Sequence, residues 1–489
     1  MAKTRFPFQD NVGHVNPNIP AGYTYLAQFV AHDLSVSSSV DEGVDTAIQT
    51  VNLRTYPLHL DCLYGYGPSF EPACYELRTA KPIAQRIGWP KTRFRLDAIS
   101  NEGFVRPDDS SAGPKRDIGR LIEMRGPASV GVALIADVRN DDNAVISQLT
   151  ALFQLAHNAA MDLLEGGNEP ATPATSALNF TIARMALTQA YRKIIRHDLL
   201  PRLLSPAIRE YYETSDNAGS LTCNPADRFV SAEFAQAAYR IGHAMIREAY
   251  LFCGNPPVEH VLSDVLRRNS ERNPPKTPHN RDWIIEWSNF FELGETPPRP
   301  SGRLEPRYET PLFDDTLFPP VADGKPAGLA YRDLVRSSSG ELRKIDAMCQ
   351  EIAAKDPDLA ARSPWLTDRG LRRHAVRKWL EASRANDLGD LADEVVNNPP
   401  PVLYFLIEAA AAEDGFRAGP LASVIMAEIF YKALRMERGR RLDGLTPSEA
   451  AGRVFGAAIP QSMPDLIRWV DANMSSQDKT YCATDLPLI

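Results

Sequence analysis

The sequence predicts a mainly α-helical protein, one large domain over residues 1–489 with few short strands and long proline-rich loops. Three observations carry the prediction. Apolar residues recur at three- to four-residue spacing in several long stretches, as one face of a helix requires. Alternating apolar and polar runs, the mark of a half-buried strand, are few and short. The prolines cluster at residues 255–279 and 294–326, which read as ordered loops with turns; neither has the Gly/Ser composition of a flexible linker.

In chain order, Pro20-Ala-Gly22 suits a turn into a helix that runs on to Leu34. The stretch from Ala144 to Leu164 places Val145, Leu149, Leu152, Phe153 and Ala156 on one helical face. Similar spacing predicts helices over 177–200, 232–252, 347–354, 401–412 and 420–434. The basic stretch 362–384 reads as the solvated face of a helix.

Bulk properties exclude several classes of function. A hydrophobic fraction of 44% with 24% charged residues is that of an ordinary globular protein. A net charge of −8 without a Lys/Arg-rich run argues against nucleic acid as a partner. The six cysteines, Cys62, Cys74, Cys223, Cys253, Cys349 and Cys482, form no Cys-x-x-Cys pair. A zinc ribbon, a thioredoxin motif and a c-type haem attachment therefore lack their ligands, and scattered thiols fit a reducing cytoplasm. The start, Met1-Ala-Lys-Thr-Arg-Phe-Pro7, has no apolar core of signal-peptide length, and no apolar run is long enough to span a membrane. The expected location is cytoplasmic.

Three segments can carry chemistry. On the first helix, Gln28 and His32 are four residues apart and share a face. This is the arrangement of a general base beside a pocket amide, or of a hydrogen-bonded core histidine. Before the Ala144 helix, Asp142 or Asn143 can cap the helix end. Arg139 lies just outside it, either as a surface ion pair or as a cation aimed into a site. In the third segment, Arg240, His243 and Arg247 form one stripe at three- and four-residue spacing, and Gly242 leaves room beside the histidine. A histidine between two arginines suits an anionic, metal-bearing macrocycle, one nitrogen for the metal and two guanidiniums for carboxylates; the arginines can equally pair with local acids.

Taken together, these segments resemble the animal haem peroxidases of the peroxidase–cyclooxygenase superfamily, in a compact bacterial-type form. Pro20-Ala-Gly-Tyr-Thr-Tyr25, Gln28-Phe-Val-Ala-His32 and Asp33 resemble the distal haem motif. Arg54 to Pro68 resembles a calcium-holding loop, and Asp137-Val-Arg139 with the helix through His157-Asn158 resembles the distal arginine segment. Ile182-Ala-Arg184, Tyr191-Arg192 and His197-Asp-Leu-Leu-Pro201 are similar to the helix that follows. Glu233-Phe234 with Ala238-Tyr-Arg-Ile-Gly-His243 resembles the proximal segment, and Leu329-Ala-Tyr-Arg-Asp-Leu-Val-Arg336 its partner. Pro401-Val-Leu-Tyr404, Glu408-Ala409, Gly419-Pro420 and Ala427-Glu428 match the C-terminal helices. The motifs stand in the family's order over most of the chain.

The resemblance implies a single large helical haem peroxidase domain and a role for each matching position. His32 is the distal base, Arg139 the distal cation and Gln28 a pocket amide. His243 is the axial ligand of the haem iron, with Asp333 accepting its Nδ1–H. Arg240 and Arg336 face the haem propionates. Asp33, Thr55 and Asp61 are the implied calcium ligands. The implied activity is reduction of hydrogen peroxide with oxidation of a small-molecule electron donor, either an organic compound or an easily oxidised halide. The alternatives are a haem dioxygenase or other specialised oxidative enzyme of the superfamily, and a helical haem-binding protein without catalysis.

Departures from the pattern sharpen these implications. Many members carry a haem-esterifying aspartate just before the distal histidine; here Ala31 has no carboxylate. The second esterifying position, usually glutamate, is the shorter Asp142. The implied cofactor is thus haem b, non-covalent or with at most one ester link through Asp142. A calcium carboxylate position is His59, a poor ligand for a hard cation. The proximal partner, usually asparagine, is Asp333, and the radical-forming tyrosine of cyclooxygenase and α-dioxygenase relatives, three residues before the axial histidine, is Arg240.

Overall fold

The computed structural model describes residues 14–35, 54, 56–78, 85, 87–98, 114–125, 128–166, 172–215, 221, 230–254, 257–277, 279–320, 324–339, 342–383, 389, 391–436 and 444–474. Helices dominate. Among the described residues the strands form five two-stranded antiparallel ladders, the longest register pairing Arg120–Arg125 with Ala128–Ala133.

The first helix, Gly22–Leu34, runs through the core. Every residue along it is buried except Gln28 and Ala31, which lie three apart on one face. Its start needs glycine: a Cβ on Gly22 would come within 2.6 Å of the Phe290 carbonyl and 2.5 Å of the Phe291 ring. Phe29 stacks on Phe153 with ring centroids 4.9 Å apart and meets Tyr191 edge-on, joining this helix to Ala144–Leu164 and Pro173–Ile194. The Ala144 helix is buried from Ala144 to Met161, and several of its polar side chains bond inside the protein: Gln148 donates to the Trp283 carbonyl, His157 to that of Thr92 and Asn158 to that of Phe94. Its cap is Asn143, whose Oδ1 accepts the amides of Val145 and Ile146.

The Pro173 helix passes into a π-helical turn at Ile195–Leu199. Asp198, in that turn, accepts the Tyr23 hydroxyl at 2.8 Å, Arg202 Nε at 3.1 Å and the Met463 amide at 2.8 Å. It ties the root of the first helix to the last one, Met463–Asn473. Pro401–Ala412 and Pro420–Arg435 are joined by the buried Glu408, whose carboxylate accepts the amides of Leu421 and Ala422 at the second helix's start. One apolar core draws on residues from Ile19 to Met474.

Two expectations change. The helix expected over 232–252 is a π turn, Phe234–Ala238, followed by a 3₁₀ helix, Tyr239–Met245, and Ala249–Leu251 is a strand paired with Glu259–Val261. Arg247 lies past the helix end, so the stripe is Arg240 and His243 alone. The loop expected over 255–279 contains that second strand and a short helix, Leu262–Arg267, while 294–326 contains Pro300–Gly302 and a 3₁₀ turn at Thr310–Phe313. Among the described residues no helix is long and apolar enough to cross a membrane. Cys62, Cys74, Cys253 and Cys349 are free and buried; Cys223 and Cys482 lie outside the described residues.

Candidate active site

One side of the site is built on the first helix and on the segment 137–143 that docks along it. His32 Nδ1 and Asn140 Oδ1 are 2.8 Å apart. Asn140 Nδ2 donates to the Cys62 carbonyl at 3.2 Å, which fixes the amide and leaves Oδ1 as acceptor. His32 therefore donates from Nδ1 and keeps the lone pair on Nε2, which has no partner among the described residues. Desolvation, reinforced by Arg139, pushes the imidazole down to about 4, so it is neutral at pH 7. One turn earlier, Gln28 Oε1 accepts Asn143 Nδ2 in a long contact of 3.4 Å. Asn140 and Asn143 thus meet His32 and Gln28 as two rungs between helix and segment.

Arg139 forms an ion pair and keeps one guanidinium nitrogen over. Its Nε and Nη2 close on Asp137 at 2.9 and 2.7 Å, and Nη2 also donates to the carbonyls of His32 and Ser35. Its side chain is nonetheless 33% exposed, and Nη1 makes no hydrogen bond among the described residues. Arg54 completes this corner, binding Asp137 and donating to the His32 carbonyl at 3.1 Å. Burial would raise the Asp137 carboxyl, but Arg139 holds it below the usual carboxylate range. Asp142 is accessible to solvent yet ringed by protein atoms. Desolvation pushes its carboxyl up to about 6 against Arg272 and Arg139.

The segment is held from behind by a buried ion cluster. Arg120, fully buried, donates from Nε and Nη2 to the two oxygens of Asp117, both at 2.9 Å, and from Nη1 to Asp141 and to Ser270 Oγ, both at 2.6 Å. Asp141 also accepts the Ser270 amide, and Asp117 the His279 amide. With each of the three guanidinium nitrogens engaged, the cluster locks Asp141 and hence its neighbours Asn140 and Asp142.

The other side is the 3₁₀ helix. Residues three apart are eclipsed in 3₁₀ winding, so Arg240 and His243 point the same way. Both reach Asp333, which is 1% exposed on the helix Leu329–Ser339. Asp333 Oδ2 accepts His243 Nδ1–H at 2.7 Å and the Tyr308 hydroxyl at 2.9 Å; Oδ1 accepts Arg240 Nη1 at 3.2 Å. Burial would raise this carboxyl, but His243, Arg240 and Tyr308 hold it below the usual range. His243 Nε2 has no partner among the described residues, and a Cβ on Gly242 would meet nothing within 4 Å. The two sides adjoin: Tyr239 donates to the Ala27 carbonyl at 3.1 Å and Thr24 to that of Met245 at 3.4 Å.

These features fit haem: a bare imidazole nitrogen beside open space on one side, and a neutral imidazole, an amide and a guanidinium on the other. Two placements depart from the implied roles. Arg240, implied at the propionates, closes on Asp333 and on the Ala235 carbonyl, because the 3₁₀ turn stacks it on His243. Arg336 lies one turn beyond Asp333 and is exposed. Two of the implied calcium ligands have partners of their own among the described residues. Asp33 gives its oxygens to the amides of Leu60 and Cys62, and Asp61 binds the Arg184 guanidinium at 2.9 Å. Thr55 lies outside the described residues, among which no metal-holding cluster of acidic, histidine or cysteine side chains occurs. His59 is buried and donates to the Pro57 carbonyl. A surface recess of about 260 Å³ between Pro17, Pro20, Glu292 and Glu295 offers neither cation nor imidazole.

Sequence reasoning missed Arg54, Asp137, Asn140 and Tyr308, all brought in by tertiary contact. The one signal for Asn140 is its place beside Arg139 in the segment that caps the Ala144 helix.

Comparisons with known proteins bear on the fold that carries these residues. Residues 101–281 match the family model described as animal haem peroxidase. No curated protein matches the sequence. Among solved structures, the fold is similar to peroxidase A from Dictyostelium discoideum, at 13% identity and a TM-score of 0.52, covering 97% of this chain and 88% of that one. It is also similar to fatty acid α-dioxygenases from Oryza sativa, at 13% identity and TM-score 0.54 over 97% and 79% of the chains, and from Arabidopsis thaliana, at 14% and 0.55 over 96% and 73%. At these identities the likeness is one of fold.

Proposed function

We propose that this chain, whose residues 101–281 match the animal haem peroxidase model, is a haem-dependent peroxidase that reduces hydrogen peroxide and oxidises small organic donors or easily oxidised halides. The observation that carries the reading is the division of labour between two histidines. His32, neutral and with Nε2 bare, is a base for a peroxide proton; His243, with Nδ1–H given to Asp333, offers Nε2 to a metal.

Bound haem would supply the iron that takes peroxide and the redox capacity to oxidise a donor. The chain's part is to ligate, orient and move protons. His243 would hold the iron, and Asp333 would keep its ring in the ligating tautomer. His32 Nε2 would take the proton from the peroxide oxygen next to the metal and return it to the departing oxygen. Arg139 Nη1 would face the charge that develops as the O–O bond breaks, and Gln28 would orient peroxide or water through its free amide nitrogen. With Ala31 unable to esterify haem, only Asp142 is left as a possible anchor, so the cofactor would carry no link or one.

A fatty acid dioxygenase, the other activity named among the structural neighbours, is the weaker reading. The position three residues before His243 is Arg240, whose guanidinium is committed to Asp333 and cannot form a phenoxyl radical.

The test is an absorption spectrum of the purified protein before and after hydrogen peroxide, with guaiacol or iodide as donor. A haem Soret band that changes on peroxide and returns on donor addition is expected. Protein that binds no haem, or a band indifferent to peroxide, rejects the proposal.

A further inference from the structure

The four-part cluster around Asp333 contains one member that the axial role of His243 does not require. Tyr308 stands on a different stretch of chain, just before the 3₁₀ turn Thr310–Phe313. Its ring meets the His243 ring edge-on, with centroids 6.2 Å apart at 82°. Its hydroxyl donates to Asp333 Oδ2, the same oxygen that accepts His243 Nδ1–H. Arg240 holds the other oxygen.

A carboxylate oxygen shares one charge among its donors, and each added donor weakens its pull on the rest. Two donors on Oδ2 and a guanidinium on Oδ1 therefore temper what would otherwise be a full carboxylate–imidazole pair. How far the Nδ1 proton is drawn toward Asp333 sets how basic Nε2 is as a metal ligand.

We propose that Tyr308 is a positioning residue for the metal ligand: its hydroxyl diverts charge from Asp333 Oδ2 and so limits how electron-rich His243 makes the iron. The inference rests on the reading of His243 as axial ligand. It makes the departure from asparagine at position 333 a graded one, a carboxylate whose effect is trimmed by Tyr308 and Arg240 to a value between an amide and a bare carboxylate.

Opposite signs make the test specific. Tyr308→Phe removes the competing donor while keeping the ring, so Oδ2 pulls harder on Nδ1–H and the ferric/ferrous potential of the holoprotein falls. Asp333→Asn removes the charge, and the potential rises. Partners one layer out from a metal change its affinity or activity by roughly 10–100-fold; the lower end, a tenfold change in a one-electron equilibrium, is about 59 mV. Spectroelectrochemistry reads both shifts, and Arg240→Gln should move the potential the same way as Tyr308→Phe. Simple loss of packing would not give opposite signs at 308 and 333. An unmoved potential in Tyr308→Phe, with His243→Ala abolishing axial ligation, overturns this inference alone. A His243→Ala protein with an unchanged haem spectrum overturns the axial reading, and the inference with it.

Discussion

The two sides of the site present the same side chain, an imidazole, to different company. His32 sits in dry protein with a neutral amide on Nδ1 and two guanidiniums nearby; desolvation, Arg139 and Arg54 together push it down to about 4. His243 is one-third exposed, and its Nδ1 faces a buried carboxylate at 2.7 Å. The difference between Asn140 and Asp333 is one heavy atom, nitrogen against oxygen, and on the proposed function it separates the two roles. An amide accepts a proton's attraction without taking its charge, so the far nitrogen stays a moderate base that is free at neutral pH. A carboxylate pulls the proton toward itself and makes the far nitrogen a strong donor to a metal.

Five changes break or sharpen this contrast. The largest effect is expected from His32→Ala, which removes the base; formation of the first oxidised species, followed by stopped flow, should slow about 10²–10⁴-fold. Arg139→Ala belongs with it, at roughly 10²–10³-fold, and unchanged rates in both variants would show that peroxide reacts elsewhere. Next comes Asn140→Asp, which gives the distal imidazole a partner of the proximal kind. Burial lowers the pKa of His32, so the base is lost only as acidity reaches that value: the wild-type rate should hold from pH 8 to about 5 and fall below about 4. A carboxylate at 140 favours the imidazolium, so the fall should begin at higher pH, with a rate at pH 5 down about tenfold. A variant profile that overlays the wild type would remove the amide from the account.

On the proximal side, Asp333→Asn should make the two partners alike. Beyond its effect on the potential, it should shift the donor range toward harder substrates by a factor on the order of ten, read as kcat/KM for bromide against guaiacol. No change in that ratio would mean that the carboxylate does not reach the iron. The smallest effect is expected at Asp142. Acid–organic extraction followed by intact mass should find haem free or held by one link per chain, and Asp142→Ala should abolish any link while leaving peroxide cleavage within about threefold, since the residue is not asked to move a proton. Two links per chain would contradict the geometry, because Ala31 has no carboxylate to give.

How much of this could be read in advance follows the same division. The first helix and Ala144–Leu164 were legible because their apolar spacing is long and unbroken. The pairs Gln28–His32 and Arg240–His243 were legible because helical spacing puts each on one face. The winding at 234–245 was not, since π, α and 3₁₀ turns share nearly the same apolar spacing over a few residues and differ in which carbonyl each amide finds. Asn140 drew no reading of its own in the sequence; only the docking of its segment, 108 residues away in sequence from His32, turns its Oδ1 toward the imidazole. Tyr308 carried no signal at all, lying in a proline-rich stretch with no periodicity. At the calcium loop, residue type shows possible ligands but not their other partners: Asp61 pairs with Arg184 and Asp33 accepts two backbone amides.

Arg120 carries a consequence for the order in which the molecule assembles. A guanidinium at zero exposure cannot leave water until its acceptors are in place, and those acceptors lie 3, 21 and 150 residues away along the chain. The nearest lies three residues back on the preceding strand, the second comes when the distal segment arrives, and the last only after closure of a long loop that brings Ser270 home, the slowest kind of step in a folding chain. Residues 137–143 should therefore gain protection from hydrogen exchange late in refolding, in step with the segment around Ser270 and well after the amides of Ala144–Leu164. A chain released before residue 270 is made would hold its distal residues in sequence but not yet in position.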